Sequence, residues 1–129
     1  MFQFPILITI TTVLICQALS LKVSESRYKN NIKAPAISGH PDFERAYRTH
    51  LNFLENFVIF LPLVWIGSLD FEQNIFYTSS CILWVLGRII FSYTYLTNTS
   101  FKTKLFGNAL AILANMILLI LAVMTAFVK

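Results

Sequence analysis

The stretch LFGNALAILANMILLILAVMTAFV, residues 105–128, contains no ionisable side chain. A helix crosses the hydrocarbon core of a bilayer in about 20 residues, so this block is long enough to span one. Three earlier blocks have the same character: residues 75–95, residues 53–67 with a helical run-up from Asp42, and residues 4–21. Of the 129 residues, 57% are hydrophobic and only 12% are charged. A water-soluble domain this short needs a charged outer surface, and there are too few charges here to make one. The expected fold is all-α: a polytopic membrane protein built as a four-transmembrane-helix bundle. The helices fall at about 4–21, 42–67, 74–96 and 105–128, within a single domain covering residues 1–129.

The charges outside these blocks set an expected topology. The first connection, residues 22–42, is the longest and holds Lys22, Arg27, Lys29 and Lys33, with Pro35, Gly39 and Pro41 as breaks. The second, residues 68–74, carries Asp70 and Glu72 and no base, whereas the third, residues 96–104, carries Lys102 and Lys104. Basic residues on loops one and three place those loops in the cytoplasm and both termini on the other side. Lys129 counts slightly against this orientation. Ala18-Leu19-Ser20 resembles a signal-peptidase site, but no basic residue precedes the apolar run, so the first helix is expected to be retained. The net charge of +4 forms no basic stripe and points to no nucleic-acid partner. Cys16 and Cys81 both lie in apolar blocks, with neither disulfide nor metal spacing, and read as small core hydrophobes.

Charged side chains inside a membrane helix cost roughly 2.5–3.5 kcal/mol each and default to a functional reading. The second helix carries Arg45, Arg48, Asn52 and Glu55 within an arc of about 80°. The third carries Arg88 among Val85, Leu86, Ile89, Ile90 and Phe91, with Tyr95 two turns on, and His50 and Tyr93 lie at comparable depth. One reading is structural, with Glu55 pairing to Arg48 or Arg88 and holding two helices together. The other is a site for a small charged ligand at the cytoplasmic end. There arginines would take carboxylates and Glu55 an ammonium. Asn108 and Asn115, seven apart on the fourth helix, read as interhelical hydrogen-bond residues.

The run Phe43-Glu44-Arg45-Ala46-Tyr47-Arg48, followed by Asn52 and Glu55, resembles the signature of the MAPEG family, membrane-associated proteins of eicosanoid and glutathione metabolism. Residues 34–41 are similar to the lead-in of bacterial members, and Gly87-Arg88 with Tyr95 is similar to the family's third-helix pattern. The resemblance covers nearly the whole chain. It implies a homotrimer in a membrane, here a bacterial inner membrane, with glutathione bound as co-substrate between neighbouring subunits. By matching positions, Arg48, His50, Asn52, Glu55, Arg88 and Tyr95 would contact glutathione. Family enzymes hold the glutathione thiolate with arginine, and the matching positions fall here on Tyr28 and near Lys102 or Lys104. Arg27, Lys102 and Lys104 are thus the candidates for stabilising the thiolate, and glutathione binding follows more directly than catalysis.

Three functions compete on these grounds. The first is a membrane glutathione transferase or peroxidase acting on lipophilic small molecules that arrive from the lipid. The second is a non-catalytic glutathione- or lipid-binding protein of the same fold. The third is a small structural subunit whose charges only join helices.

Overall fold

In the computed structural model, which describes residues 1–128, four helices follow one another along the chain. They are α1 (Gln3–Lys29), α2 (Pro41–Phe71), α3 (Ile75–Leu96) and α4 (Phe101–Phe127). All four are long and apolar enough to cross a membrane. Lys129 lies outside the described residues. Short connections after α2 and α3 force the last three helices to run alternately up and down.

The helix starts follow local chemistry. Pro41 opens α2 at a position where its missing N–H costs nothing, and His40 Nδ1 accepts from the Asp42 amide at 3.2 Å. Asp42 and Glu44 place negative charge on the first turn, where the helix dipole favours it. Asn74 and Ser100 cap α3 and α4 through their side-chain oxygens.

Three helix ends differ from the expectation. The polar segment after Leu21 stays helical to Lys29, because leaving hydrocarbon does not stop a helix. Its serines, Lys22 and Glu25 are compatible with helix, and termination comes only at Asn30 and Asn31, the latter at a φ of 55°. Helix α2 runs through Gly67-Ser68 to Phe71, and Gly67 serves packing there: a Cβ on it would lie 3.1 Å from the Tyr77 ring. Helix α4 begins at Phe101, so Lys102 and Lys104 belong to its first turns and not to a loop.

The core lies where α2, α3 and α4 meet. Phe60 stacks on Trp84 with ring centroids 3.8 Å apart, and Phe53 meets the same indole edge-on. Tyr77 donates a hydrogen bond to the Val64 carbonyl at 2.8 Å. Cys81 is buried beside these rings and Cys16 is half-buried; both are free thiols. Helices α3 and α4 approach closest. A Cβ on Gly87 would stand 2.6 Å from the Gly107 carbonyl oxygen, and one on Gly107 would stand 2.8 Å from the Gly87 oxygen. Backbones this close need glycine on both sides, a device typical of membrane helix pairs. Helix α1 joins α2 through Trp65 Nε1, which donates to Thr9 Oγ1 at 3.1 Å. The outer surface is apolar, with Leu7, Leu14, Val58, Ile82, Leu113 and Ile120 all exposed. That arrangement is stable only where hydrocarbon replaces water.

Candidate functional site at the α2, α3 and α4 ends

The polar stripe of α2 straddles the edge of the bundle. Arg45 turns back to Asp42 in an ion pair one helical turn away. Arg48 and Glu55 are exposed on the outer face. Asn52 sits between them on the inner margin and is half-buried. Neither Arg48 nor Glu55 forms an ion pair among the described residues, so the reading in which Glu55 pairs with Arg48 or Arg88 inside the subunit is corrected. The geometry explains why: Glu55 leaves the outer face of α2, whereas Arg88 lies fully buried behind it.

Arg88 organises the interior of the cluster. It is 0% exposed and joins three helices. Its Nη2 donates to Asn52 Oδ1 on α2, and its Nη1 donates to Asn108 Oδ1 on α4 at 3.2 Å. Its guanidinium carbon lies 4.5 Å over the Phe91 ring, a cation–π contact. Phe91 in turn stacks on Tyr95 at 5.7 Å, and Lys104 Nζ stands 5.3 Å from the Tyr95 ring. A continuous series of contacts therefore runs from Asn52 through Arg88, Phe91 and Tyr95 to Lys104.

The other candidates are placed differently. Arg27 donates to the Ala36 carbonyl at 2.7 Å and lies 4.6 Å over the Phe43 ring, tying the 30–40 connection to α2. The side chains of His50 and Lys102 make no hydrogen bond or ion pair among the described residues, and Tyr28 is 88% exposed. Arg48 lines a surface cleft of about 400 Å³ with Ile37, Glu44, Tyr47 and Leu51. Asn108 does make an interhelical bond, as expected of it, but its partner is Arg88. Asn115 makes none, and its Oδ1 is buried without a partner. Nothing in the sequence joins Phe91 to the site or Arg88 to Asn108: an asparagine in an otherwise apolar span is the available signal, and it names no partner.

The arrangement offers donors and a buried cation on the inner side, and Arg48 and Glu55, unpaired among the described residues, on the outer side. The MAPEG family model matches residues 5–124. The chain belongs to the MAPEG family. It is 31% identical over 122 residues to an uncharacterised protein of Synechocystis sp., covering 95% of this chain and 87% of that one. It is 31% identical over 100 residues to human microsomal glutathione S-transferase 2, covering 78% of this chain and 67% of that protein. Leukotriene C4 synthase of Cavia porcellus is 33% identical over 67 residues, 52% of this chain and 45% of the synthase. This MAPEG chain is accordingly an integral multi-pass membrane protein of a glutathione-related enzyme family.

Proposed function

We propose that the protein is a membrane glutathione transferase that conjugates lipophilic electrophiles, with glutathione peroxidase activity toward lipid hydroperoxides. One observation carries the reading. Arg48 and Glu55 flank the half-buried Asn52 on the outer face of a membrane helix, charged and without partners among the described residues. Groups of that kind at membrane depth call for a polar ligand and a covering surface. A zwitterionic peptide with carboxylates and an ammonium suits an arginine, an asparagine and a glutamate together. A second copy of the chain, in a homotrimer, supplies the cover, and the likeness to a glutathione S-transferase supports the choice of peptide.

In the transfer step the glutathione thiolate attacks an electrophilic carbon of a lipophile entering from the bilayer. A carbon–sulfur bond forms and the leaving group departs with its electron pair, as a halide does from an aryl halide. Proximity and thiolate stabilisation supply the rate. Lys104, beside Tyr95, and Lys102 on the same turns are the free cations for the thiolate. Arg27 is engaged with Ala36 and Phe43 and is the weaker candidate. The basic ends of α1 and α4 belong in the cytoplasm, with both termini across a bacterial inner membrane.

A second reading is a non-catalytic glutathione-binding protein. It draws on lysines, compact and strongly hydrated charges, standing where a guanidinium fork would hold a thiolate better. The test is conjugation of glutathione to an aryl halide by the detergent-purified protein, with a lipid hydroperoxide in parallel. Turnover is expected. Binding without turnover selects the second reading, and no binding returns the charges to a structural role.

A further inference from the structure

We propose that Arg88 is a positioning residue that acts through Asn52 and Asn108. It turns both amide carbonyls inward, so that two NH2 donors backed by a buried positive charge face the ligand and select a carboxylate. This rests on the reading of the α2 face as a glutathione site, and it adds a second helix and a polarity to that site.

The polarity follows from the guanidinium. Arginine carries five N–H donors and no acceptor. Any amide atom hydrogen-bonded to it must therefore be the oxygen, whichever way an asparagine is otherwise assigned. Arg88 holds Asn52 Oδ1 with one terminal nitrogen and Asn108 Oδ1 with the other. Asn52 Oδ1 also lies 3.4 Å from Asn56 Nδ2, which occupies that oxygen further. With both oxygens held, the two Nδ2 groups turn away from Arg88. Neither donates to any described residue, and neither is among the buried unpaired atoms closed off from the exterior.

Charge reinforces the choice. Arg88 is fully buried and has no carboxylate within ion-pair distance among the described residues. A buried cation without a counter-charge is unfavourable. An anion on the far side of the two amides relieves it through charge-polarised hydrogen bonds. An ammonium at the same place would meet two donors and a like charge, and is rejected. The acceptor for an ammonium is Glu55, three residues along α2 on the outer face. The ligand is thereby oriented, with a carboxylate against the α2–α4 amides and the amine toward Glu55.

Asn108→Asp tests this, because it keeps the oxygen that Arg88 holds and replaces the outward donor with an acceptor. The variant should melt no lower than the wild type, since its contact with Arg88 gains a charge. Asn108→Leu, which loses both functions, should melt lower. Glutathione affinity of Asn108→Asp, measured by calorimetry in detergent, should fall on the order of 10- to 100-fold, as expected for losing a hydrogen bond to a charged group. Glutathione diethyl ester, with its carboxylates neutralised, should lose affinity only a few-fold on the same substitution, and a purely structural role would not separate the two ligands. Asn52→Asp should show the same selectivity. Undiminished glutathione binding by both variants, or equal losses for acid and ester, overturns the proposal. Failure of the wild type to bind glutathione removes the ligand assignment alone. The melting order at position 108 then still decides whether Arg88 holds the carbonyls inward, and an Asp variant melting with the Leu variant overturns that as well.

Discussion

The seam between α3 and α4 and the outer face of α2 solve opposite problems. At the seam, Gly87 and Gly107 bring two backbones into contact, and Ala111 and Ala114 continue the close approach with almost no exposed surface. Nothing further is needed to complete it. On α2, the same chain leaves Arg48 and Glu55 exposed on a helix whose next turn presents the apolar Val58 and Ile59. Small side chains close one helix pair completely, whereas Arg48 and Glu55 stand without an ion pair among the described residues.

The largest expected effect lies at the seam. Gly87→Leu forces side-chain atoms into the Gly107 carbonyl and should cost at least the roughly 1–3 kcal/mol of an overpacked core. Thermal unfolding in detergent should show it as loss of the cooperative transition, while Leu86→Ala, on the exposed side of the same helix, should leave melting nearly unchanged. Similar melting of the two variants would remove the distinction between closed seam and open face.

On the open face the prediction concerns assembly and binding in place of folding. Native mass spectrometry from detergent should give three subunits, and an active monomer would show that the α2 face needs no cover. Glu55→Gln keeps the helix and its shape but removes a charge. Glutathione affinity should drop about tenfold or more, by the loss of a charge-assisted bond worth roughly 1.5–3 kcal/mol, with melting unchanged. Unchanged affinity would assign Glu55 to subunit contacts.

The smallest expected effect is at Lys104. Free thiols ionise near pH 8.5, so conjugation should rise with pH as thiolate forms. Removing a nearby cation raises the thiol pKa and moves that rise to higher pH. Lys104→Met should therefore slow the rate at neutral pH by about tenfold or less, one pKa unit corresponding to a factor of ten. Lys104→Arg should preserve or raise it. Thiolate absorbance followed against pH reads the shift directly. If bound glutathione titrates like the free thiol, and Lys102→Met and Arg27→Met are as silent as Lys104→Met, none of these cations stabilises a thiolate.

Four spans, an all-α fold and a charged stripe on the second helix could be read from residues alone. Hydropathy over about 20 residues reports whether a segment can replace water with lipid, and helical periodicity reports which residues share a face. The start of α2 was legible to within one residue, expected at Asp42 and found at Pro41, because capping and dipole effects are local. What lay beyond the sequence was decided by packing between helices distant in the chain. Whether the α2 stripe faced in or out depended on a rotation of a few tens of degrees, and the structure divides it, with Asn52 inward and Arg48 and Glu55 outward. Arg88 found its partners on α2 and α4, and no periodicity within α3 names residues 36 and 20 positions away. The expected second helix stops at residue 67, whereas α2 continues past Gly67 and packs that glycine against Tyr77, because only the neighbouring helix shows what the missing Cβ makes room for. Composition and local chemistry determined that this chain folds into four helices long and apolar enough to cross a membrane. The three-dimensional meeting of those helices decided which of its charges are paired within the chain and which stand unpaired at its surface among the described residues.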